Sequence, residues 1–439
     1  MKQIIWFRRD LRIEDSAILH YANGEVLPIF IFDSNILSKL RYDDKRVSFI
    51  YKSVLLLKKK LQKINLDLAI YYGEPIEIFK NLKKIGFEKI LCSVDFDSYS
   101  KNRDKEIEKI LPISRYIDSF LLNPKEHLKK NCTPYVMFTP YYNSLSLISQ
   151  SNHIEEYQVS KKIKLYKYDY TNAPNLEQMN FIEQNLPSFL SEDVYTLLEN
   201  FKDILQNYSK NRDFFSKNGT SNLSVHLRFG IISVKQVFNY IKSLHLKNSD
   251  VFIRQLFWRE FYNYLLYHFP HSEFENFKDI NINWRNNKQE FKMWCEGRTG
   301  IYIIDAAMQH LNKTGLMHNR LRMIVASFLT KNLLIDWRWG EKYFAEKLLD
   351  YETSTNIGSW QWAASTGADS VPYFRIFNPY TQSQKFDKDG TFIKNIIPES
   401  KNIESKLFHI ESINAIIDIK SSRQRAINIF KYSKNSNIT

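Results

Sequence analysis

The chain has 439 residues, more than a single hydrophobic core usually serves, so at least two domains are expected. Lys and Arg outnumber Asp and Glu by 62 to 48, which gives a formal net charge of +14. This surplus can attract a polyanion such as nucleic acid, although a simple bias toward lysine would give the same total. The three cysteines are far apart, so they imply no disulfide framework or zinc site and exclude a four-cysteine iron–sulfur cluster within one chain.

The N-terminal sequence MKQIIWFRRD lacks the long apolar core of a signal peptide. No window approaches the roughly 18 uninterrupted apolar residues of a membrane span. We therefore expect an intracellular, cytoplasmic protein.

The first part of the chain alternates predicted strands and helices. Strands are predicted at residues 2–7, 26–32, 66–72 and 89–94, and helices at 47–61 and 77–85. This order predicts a doubly wound, mostly parallel sheet, a fold that binds ligands at the carboxyl ends of its strands. The standard GxGxxG dinucleotide fingerprint is absent.

The pattern changes after residue 124. Prolines and polar runs interrupt it up to residue 190, whereas helical spacing prevails from about residue 192 to 347 and returns at 412–432. We predict an α/β domain at residues 1–124, an interdomain linker at 125–190 and a larger, all-helical domain at 191–439.

The segment GTSNLS at residues 219–224 places several hydroxyl groups just before a predicted helix. Hydroxyls and backbone amides at a helix N-terminus can bind a pyrophosphate. The same residues also serve as ordinary helix caps, so the segment by itself leaves both interpretations open.

A second segment, residues 251–270, predicts a helix with an unusual face. Gln255, Trp258, Arg259 and Tyr262 follow the i, i+3, i+4, i+7 spacing that places side chains on one side of a helix. An amide, an indole, a guanidinium and a phenol together suit a polar ligand with a flat ring. The alternative is that the aromatic rings are core residues and the charged groups face solvent.

A third segment, MHNRLRM at residues 317–323, opens a helix predicted to run to about residue 335. Asn319, Arg322 and Met323 share one face. Asn is unfavourable in the interior of a helix, yet its amide can form hydrogen bonds with a heterocycle. Met323 offers an adaptable apolar contact. A helix cap followed by a core methionine would produce the same pattern.

The densest segment covers residues 350–379. It contains Asp350 and Glu352, then Asn356, then the indoles Trp360 and Trp362, with no continuous apolar stripe. Two indoles two residues apart point in different directions, so one can face a buried cofactor and the other a pocket. This composition favours a binding site over a plain core helix.

Taken together, these segments resemble the photolyase–cryptochrome family, and within it the class I cyclobutane pyrimidine dimer photolyases. The similar motifs are WFRRDLR at 6–12, TSNLS at 220–224, WREFY at 258–262, residues 297–323 and SWQWAASTGADSVPYFRIFNP at 359–379. They are long, occur in the family's order and span nearly the whole chain.

The resemblance implies light-driven repair of cyclobutane dimers in DNA, by electron transfer from excited, reduced FAD held in the helical domain. It places Asn356 at flavin N5 and pairs Arg322 with Asp350 near the ring. The positions that match flavin contacts are Tyr208, Thr220, Ser221, Asn222, Leu223, Ser224, Gln255, Arg259, Tyr262, Asn319, Arg322, Asp350, Glu352 and Asn356.

The resemblance also implies a DNA partner, a pocket for a flipped-out dimer and a monomeric protein. The positions that match substrate or DNA contacts are Gln255, Trp258, Asn319, Arg320, Met323 and Trp362. Those that match the chain of tryptophans that returns electrons to oxidised flavin are Trp284, Trp337 and Trp360.

Gln255 departs from the family pattern, because dimer photolyases usually carry Glu there. The (6-4) photolyases carry Gln at this position, so a (6-4) photolyase is one alternative, although those enzymes carry His at the positions of Asn319 and Met323. A cryptochrome-type blue-light receptor without repair activity is the other. The resemblance leaves room for a second, antenna chromophore. Asp97 aligns only loosely with a folate-contacting acid, so the identity of this pigment is open.

Overall fold

The structure is a computed structural model that describes residues 2–435. The chain divides into two compact units. The first contains the residues up to Pro134, Tyr142–Lys202 and Ser221–Tyr267, and the second contains Tyr135–Tyr141, Asp203–Thr220 and the residues from His268 onward. The domain boundaries at residues 124 and 190 stay predictions.

The first unit contains a parallel sheet. Its strands are β1 (Lys2–Phe7), β2 (Gly24–Asp33), β3 (Ala69–Gly73), β4 (Lys89–Ser93), β5 (Ile113–Tyr116) and β6 (Ile163–Leu165). The order is β3-β2-β1-β4-β5, with β6 paired to β2, and every pairing is parallel. The doubly wound sheet is confirmed. The region predicted as a linker contributes β6, so part of it belongs to the sheet.

Helices make up most of the remaining regular structure. In chain order they are α1 (Ala17–His20), α2 (Ser34–Leu37), α3 (Lys45–Gln62), α4 (Pro75–Lys84), α5 (Ser98–Glu108), α6 (Phe138–Ser144), α7 (Ser146–Ser149), α8 (Val194–Leu205), α9 (Tyr208–Asn211), α10 (Ser224–Phe229), α11 (Val234–Ser243), α12 (Ser249–His268), α13 (Lys288–Glu296), α14 (Tyr302–Thr314), α15 (Asn319–Ser327), α16 (Trp337–Lys347), α17 (Thr353–Ala364), α18 (Pro379–Phe386), α19 (Thr391–Ile396) and α20 (Ile419–Asn435). The predominantly helical C-terminal part is confirmed.

The helix predicted from residue 317 to 335 is shorter than expected. It begins at Asn319, because the Nδ1 atom of His318 accepts a hydrogen bond from the Arg320 N–H at 3.1 Å and so caps the helix. It continues after Ser327 as the π-helical turn Phe328–Asn332. Such a local widening is not visible in hydrophobic periodicity.

Each unit has its own hydrophobic core. In the first unit, side chains of the sheet such as Ile4, Leu27 and Ile90 are buried against Phe79 of α4. In the second unit, the core is formed mainly by α13–α17 and includes fully buried Trp294. Removal of these apolar surfaces from water supplies the main stabilisation of each unit.

Because Gly340 in α16 has no side chain, the Trp360 ring of α17 can pack directly against this helix. A Cβ atom added to Gly340 would overlap the Trp360 ring and would lie 2.6 Å from Cδ2 of Leu329. Both neighbours are buried and have little room to move. A glycine in the middle of this helix is therefore required by the packing of Trp360.

We expect Gly340→Ala to lower the free energy of unfolding by about 1–3 kcal/mol through overpacking, an effect larger than the helix propensity that alanine adds. Urea denaturation measures this difference. Ser359→Ala is the matched control, because Ser359 is an exposed position of α17 and its replacement should change the free energy by less than about 0.5 kcal/mol. Equal stability of the Gly340→Ala and wild-type proteins would contradict the packing argument.

Candidate functional site

An ion pair in the second unit joins α15 to the segment that precedes α17. Nη2 of Arg322 donates to both carboxylate oxygens of Asp350, at 3.0 and 2.8 Å, and Nε donates to the Met317 carbonyl at 2.8 Å. The predicted pair is therefore present. The Asp350 side chain is only 7% exposed and that of Arg322 28%, so the pair has a defined geometry that a surface ion pair lacks.

If this pair holds the cofactor, Asp350→Asn should weaken FAD binding by roughly tenfold, because hydrogen bonds between charged groups are stronger than neutral ones. Titration of the apoprotein with FAD, followed by fluorescence, gives the dissociation constant. Asp250→Asn is the control, since Asp250 forms an ion pair with Lys242 in the first unit and its side chain is 78% exposed. An unchanged dissociation constant for FAD in the Asp350→Asn protein would show that the Arg322–Asp350 pair does not contribute to FAD binding.

Asn356 is buried on α17, and its amide has a fixed orientation. Nδ2 donates to the backbone carbonyl and to Oε1 of Glu341 on α16, both at 3.1 Å. Within residues 2–435, Oδ1 of Asn356 accepts no hydrogen bond. Because the donor side of the amide is occupied, Asn356 offers an acceptor, which suits an N–H group of a ligand.

Glu341 is a residue that the sequence did not single out. Burial raises the pKa of its carboxyl group, while hydrogen bonds from Asn356 and from the Tyr351 hydroxyl, at 3.3 Å, act in the opposite direction. It lies on a different helix from Asn356. Only the packing of α16 on α17 brings the two side chains together.

The exposed end of α15 carries the other residues that were predicted there. Nδ2 of Asn319 lies 3.9 Å from Sδ of Met323, one turn further along the helix, so these two side chains are neighbours. Arg320 forms an ion pair with Asp213 at 2.9 Å, and its guanidinium lies 4.8 Å from the centre of the Phe386 ring. A phosphate contact by Arg320 would therefore compete with an existing carboxylate.

The two indoles of α17 differ in exposure, as their spacing predicts. Trp360 is 2% exposed, whereas Trp362 is half-buried. Within residues 2–435, the ring neighbours of Trp360 are Phe344, with centroids 5.0 Å apart, and Trp294 at 6.1 Å. Trp294 was not predicted as a site residue, because a tryptophan in an apolar helical pattern is indistinguishable from an ordinary core residue.

The remaining predicted tryptophans of the second unit have other neighbours. Trp337 begins α16, is 1% exposed and donates its indole N–H to Asn276 at 2.9 Å. Trp284 lies in the loop before α13, is half-buried and makes an edge contact with Phe430 at 6.0 Å. Their role in moving electrons stays a prediction.

In the first unit, α12 presents the mixed face that its spacing predicts. Gln255, Trp258, Arg259 and Tyr262 are all half-buried, whereas the apolar residues between them are fully buried. The rings of Trp258 and Tyr262 lie 5.9 Å apart. Arg259 donates to the Ser119 carbonyl at 2.7 Å, and burial lowers the pKa of its guanidinium to about 10.

The hydroxyl-rich segment divides between the units. Tyr208 is buried at the start of α9 and, with Thr220, belongs to the second unit, whereas the segment from Ser221 to Ser224 belongs to the first. Ser221 accepts a hydrogen bond from the backbone N–H of Leu223 at 3.4 Å. Asn222 and Ser224 are exposed, and Glu352 is buried at the N-cap of α17.

Asp97, the loosely aligned antenna residue, follows β4 at the carboxyl edge of the sheet. Its carboxylate caps α5 by accepting the backbone N–H three residues later, at 2.9 Å. At the end of β1, Arg8 and Arg103 lie on the Trp6 ring, each 4.7 Å from its centre, and Arg8 pairs with Asp104 at 2.8 Å. Charged side chains therefore occupy part of this edge.

No helix within residues 2–435 is long and apolar enough to cross a membrane. The same residues contain no group of three or more His, Cys, Asp or Glu side chains that could hold a metal ion.

Comparison with known proteins gives consistent results over the whole chain. Residues 3–158 match the family model of DNA photolyase, and residues 252–433 match that of the FAD binding domain of DNA photolyase. A deoxyribodipyrimidine photo-lyase of Buchnera aphidicola is 34% identical, with 99% of this chain and 97% of the relative covered. Among solved structures, a bacterial class III photolyase from Agrobacterium tumefaciens is 30% identical (TM-score 0.85, 99% and 98% covered), and an archaeal photolyase from Sulfolobus tokodaii is 32% identical (TM-score 0.84, 98% and 100% covered). The chain therefore belongs to the DNA photolyase family and carries the FAD-binding domain of that family.

Proposed function

We propose that this protein is a deoxyribodipyrimidine photolyase that repairs cyclobutane pyrimidine dimers in DNA with light. The observation that carries the proposal is the pair of polar groups in the FAD-binding domain, the Arg322–Asp350 ion pair and the Asn356 amide. The similarity over nearly the full length to proteins named deoxyribodipyrimidine photo-lyase supports it.

These groups fit an isoalloxazine ring. The edge of that ring alternates carbonyl acceptors with N–H donors, so a guanidinium and an amide oxygen are complementary to it. Arg322 would donate to the ring, Asp350 would hold Arg322 in place, and Asn356 would accept from an N–H at N5. When bound and reduced, FAD supplies the electron that light sends to the dimer.

The chain's own residues would bind and position the lesion. We propose that Trp362, Asn319 and Met323 of the second unit contact the dimer, because a half-buried indole and an exposed amide suit the faces and the carbonyl oxygens of pyrimidines. Gln255 and Trp258 of the first unit stay predicted lesion contacts. The net charge of +14 would attract the phosphates around the lesion. Because the proposed substrate is DNA, we propose that the protein is intracellular. We also propose that it acts as a monomer, as the family resemblance implies.

We also propose a second chromophore that harvests light. The Sulfolobus tokodaii photolyase is described as a structure with two FAD molecules that implies a novel light-harvesting cofactor. In this chain the corresponding candidate is the carboxyl edge of the sheet near Asp97. Extraction of the purified protein, followed by spectroscopy of the extract, identifies the pigment.

The lesion that the protein repairs distinguishes the two photolyase candidates. Chemically reduced protein is illuminated without oxygen in the presence of two oligonucleotides, one with a cyclobutane dimer and one with a (6-4) product. We expect loss of the cyclobutane dimer only. Repair of the (6-4) product alone would show that Gln255 marks the other substrate class.

Gln255→Glu should raise the number of cyclobutane dimers split per absorbed photon. The dimer gains negative charge on a carbonyl oxygen after it accepts an electron, and a carboxyl group can share a proton with that oxygen, whereas an amide can only donate a hydrogen bond. The quantum yield of both proteins, measured with prereduced flavin at saturating substrate, tests this. An unchanged or lower yield would mean that Gln255 is an equivalent donor.

A further inference from the structure

The indole N–H of Trp337 faces a neutral oxygen in a buried position. Trp337 is 1% exposed, and its Nε1 donates to Oδ1 of Asn276 at 2.9 Å. Nδ2 of the same amide donates to the Ile280 carbonyl at 2.7 Å. An indole N–H can only donate and a carbonyl can only accept, so the two partners together determine which way the amide points.

A positive charge lies against the same ring. The guanidinium of Arg338 is 4.8 Å from the centre of the Trp337 ring. Arg338 is held there by the Phe274 carbonyl, at 2.7 Å from Nε, and by the Asp336 carboxylate, at 3.2 Å from Nη1. A cation over an aromatic ring is attracted by the neutral ring and disfavours positive charge on it, whereas the Asp336 carboxylate paired with Arg338 acts in the opposite direction.

Trp284 has a different environment. It is half-buried in a loop, and among the side chains of residues 2–433 its indole N–H has no hydrogen-bond partner. An N–H group at the surface that donates to no protein group is hydrated. Water is therefore available to take a proton from Trp284, whereas the group in contact with the N–H of Trp337 is an amide.

We propose that Asn276 is a positioning residue that keeps the proton on Trp337 while electrons pass through this ring. The inference rests on the proposed function. Trp337 gives one electron to oxidised Trp360 and becomes a radical cation. It retains its proton, because an amide oxygen is a poor base, and it recovers the electron from Trp284.

Trp284 is then the oxidised residue and releases its N–H proton to water. A thiol reductant in solution returns one electron and one proton to it, so charges and protons balance. The positive hole thus passes through Trp337 and is trapped at Trp284. Asn276 and Arg338 make Trp337 a relay. Asn276 offers the indole N–H no base that could take its proton, and Arg338 raises the energy of a positive charge on the ring.

The test uses FAD-loaded protein in which Trp284→Phe removes the outer tryptophan. Absorption after a laser flash separates the radical cation of tryptophan from its deprotonated form, which absorbs at shorter wavelength. In the Trp284→Phe protein we expect only the cation, which decays by recombination. Addition of Asn276→Asp places a carboxylate on the N–H, and we expect a shift to the deprotonated radical, with a lifetime longer by about tenfold or more.

Asn276→Ser on the same background is the matched control. Like aspartate, serine removes the bond from the amide to Ile280, but it adds no base, so we expect the cation as in the parent. A deprotonated radical in the Trp284→Phe protein itself, or only the cation in the Asn276→Asp variant, would overturn the inference. Absence of any tryptophan radical in FAD-loaded wild-type protein would contradict the electron-transfer role itself.

Discussion

Trp360→Phe is expected to lower the rate at which light reduces oxidised flavin by about hundredfold, a factor that corresponds to ~2.7 kcal/mol in the barrier. A phenyl ring is much harder to oxidise than an indole, and Trp360 is one of the tryptophans predicted to return electrons to oxidised flavin. The substitution is conservative in shape, since Phe can keep the edge contacts with Phe344 and Trp294. Flavin reduction under continuous light, with a thiol as final reductant, gives the rate.

The same variant should repair dimers normally when its flavin is reduced chemically beforehand. As a predicted member of the tryptophan chain, Trp360 supplies electrons to the cofactor and does not touch the lesion. Loss of repair after prior reduction would assign Trp360 to the lesion site. FAD content and urea stability of the variant establish that it is folded, which matters because Trp360 fills the space above Gly340.

Trp362→Ala should remove most of the preference for damaged over undamaged DNA. An aromatic contact with a base contributes about 1–3 kcal/mol, so the ratio of the two dissociation constants is expected to fall by roughly 5-fold to 150-fold. Binding to undamaged DNA should change little, because it depends mainly on phosphate contacts, and it should weaken steeply with salt in both proteins. Competition binding with dimer-containing and plain duplexes, in the dark, measures the ratio.

Trp339→Ala is the control for this variant. Trp339 lies on α16, is half-buried like Trp362, and packs on Phe291 with ring centroids 5.2 Å apart. It was not predicted to contact substrate. A loss of damage preference in the Trp339 variant equal to that in the Trp362 variant would attribute the effect to general loosening of the helices. An unchanged preference in Trp362→Ala would remove Trp362 from the proposed pocket.

The sequence predicted the first unit well, because its signals are local. Strands such as β1 are continuous apolar runs, and the alternation of strands and helices restricts the sheet topology. The start of β3 was placed at residue 66, although the strand begins at Ala69. An apolar run predicts that its residues are buried, but it does not predict at which residue the hydrogen bonds to the neighbouring strand begin.

In the site, the predicted residues were those with unusual chemistry for their position. The Arg322–Asp350 pair could be expected from the motifs that contain the two residues. Glu341 and Asn276 could not, since each is brought to its partner by packing with another segment, Glu341 to Asn356 and Asn276 to Trp337. Acidic and amide side chains in helices and loops are common, and only the tertiary packing distinguishes these two.

The most direct test of the central claim is a comparison of light with darkness in one sample. Chemically reduced, FAD-loaded protein is mixed with an oligonucleotide that carries a single cyclobutane dimer, and half of the sample is illuminated without oxygen at wavelengths that reduced flavin absorbs. We predict loss of the dimer and recovery of two intact pyrimidines in the illuminated half, with no change in the dark or with apoprotein. Intact dimers in the illuminated half, despite bound FAD and bound DNA, would contradict the account.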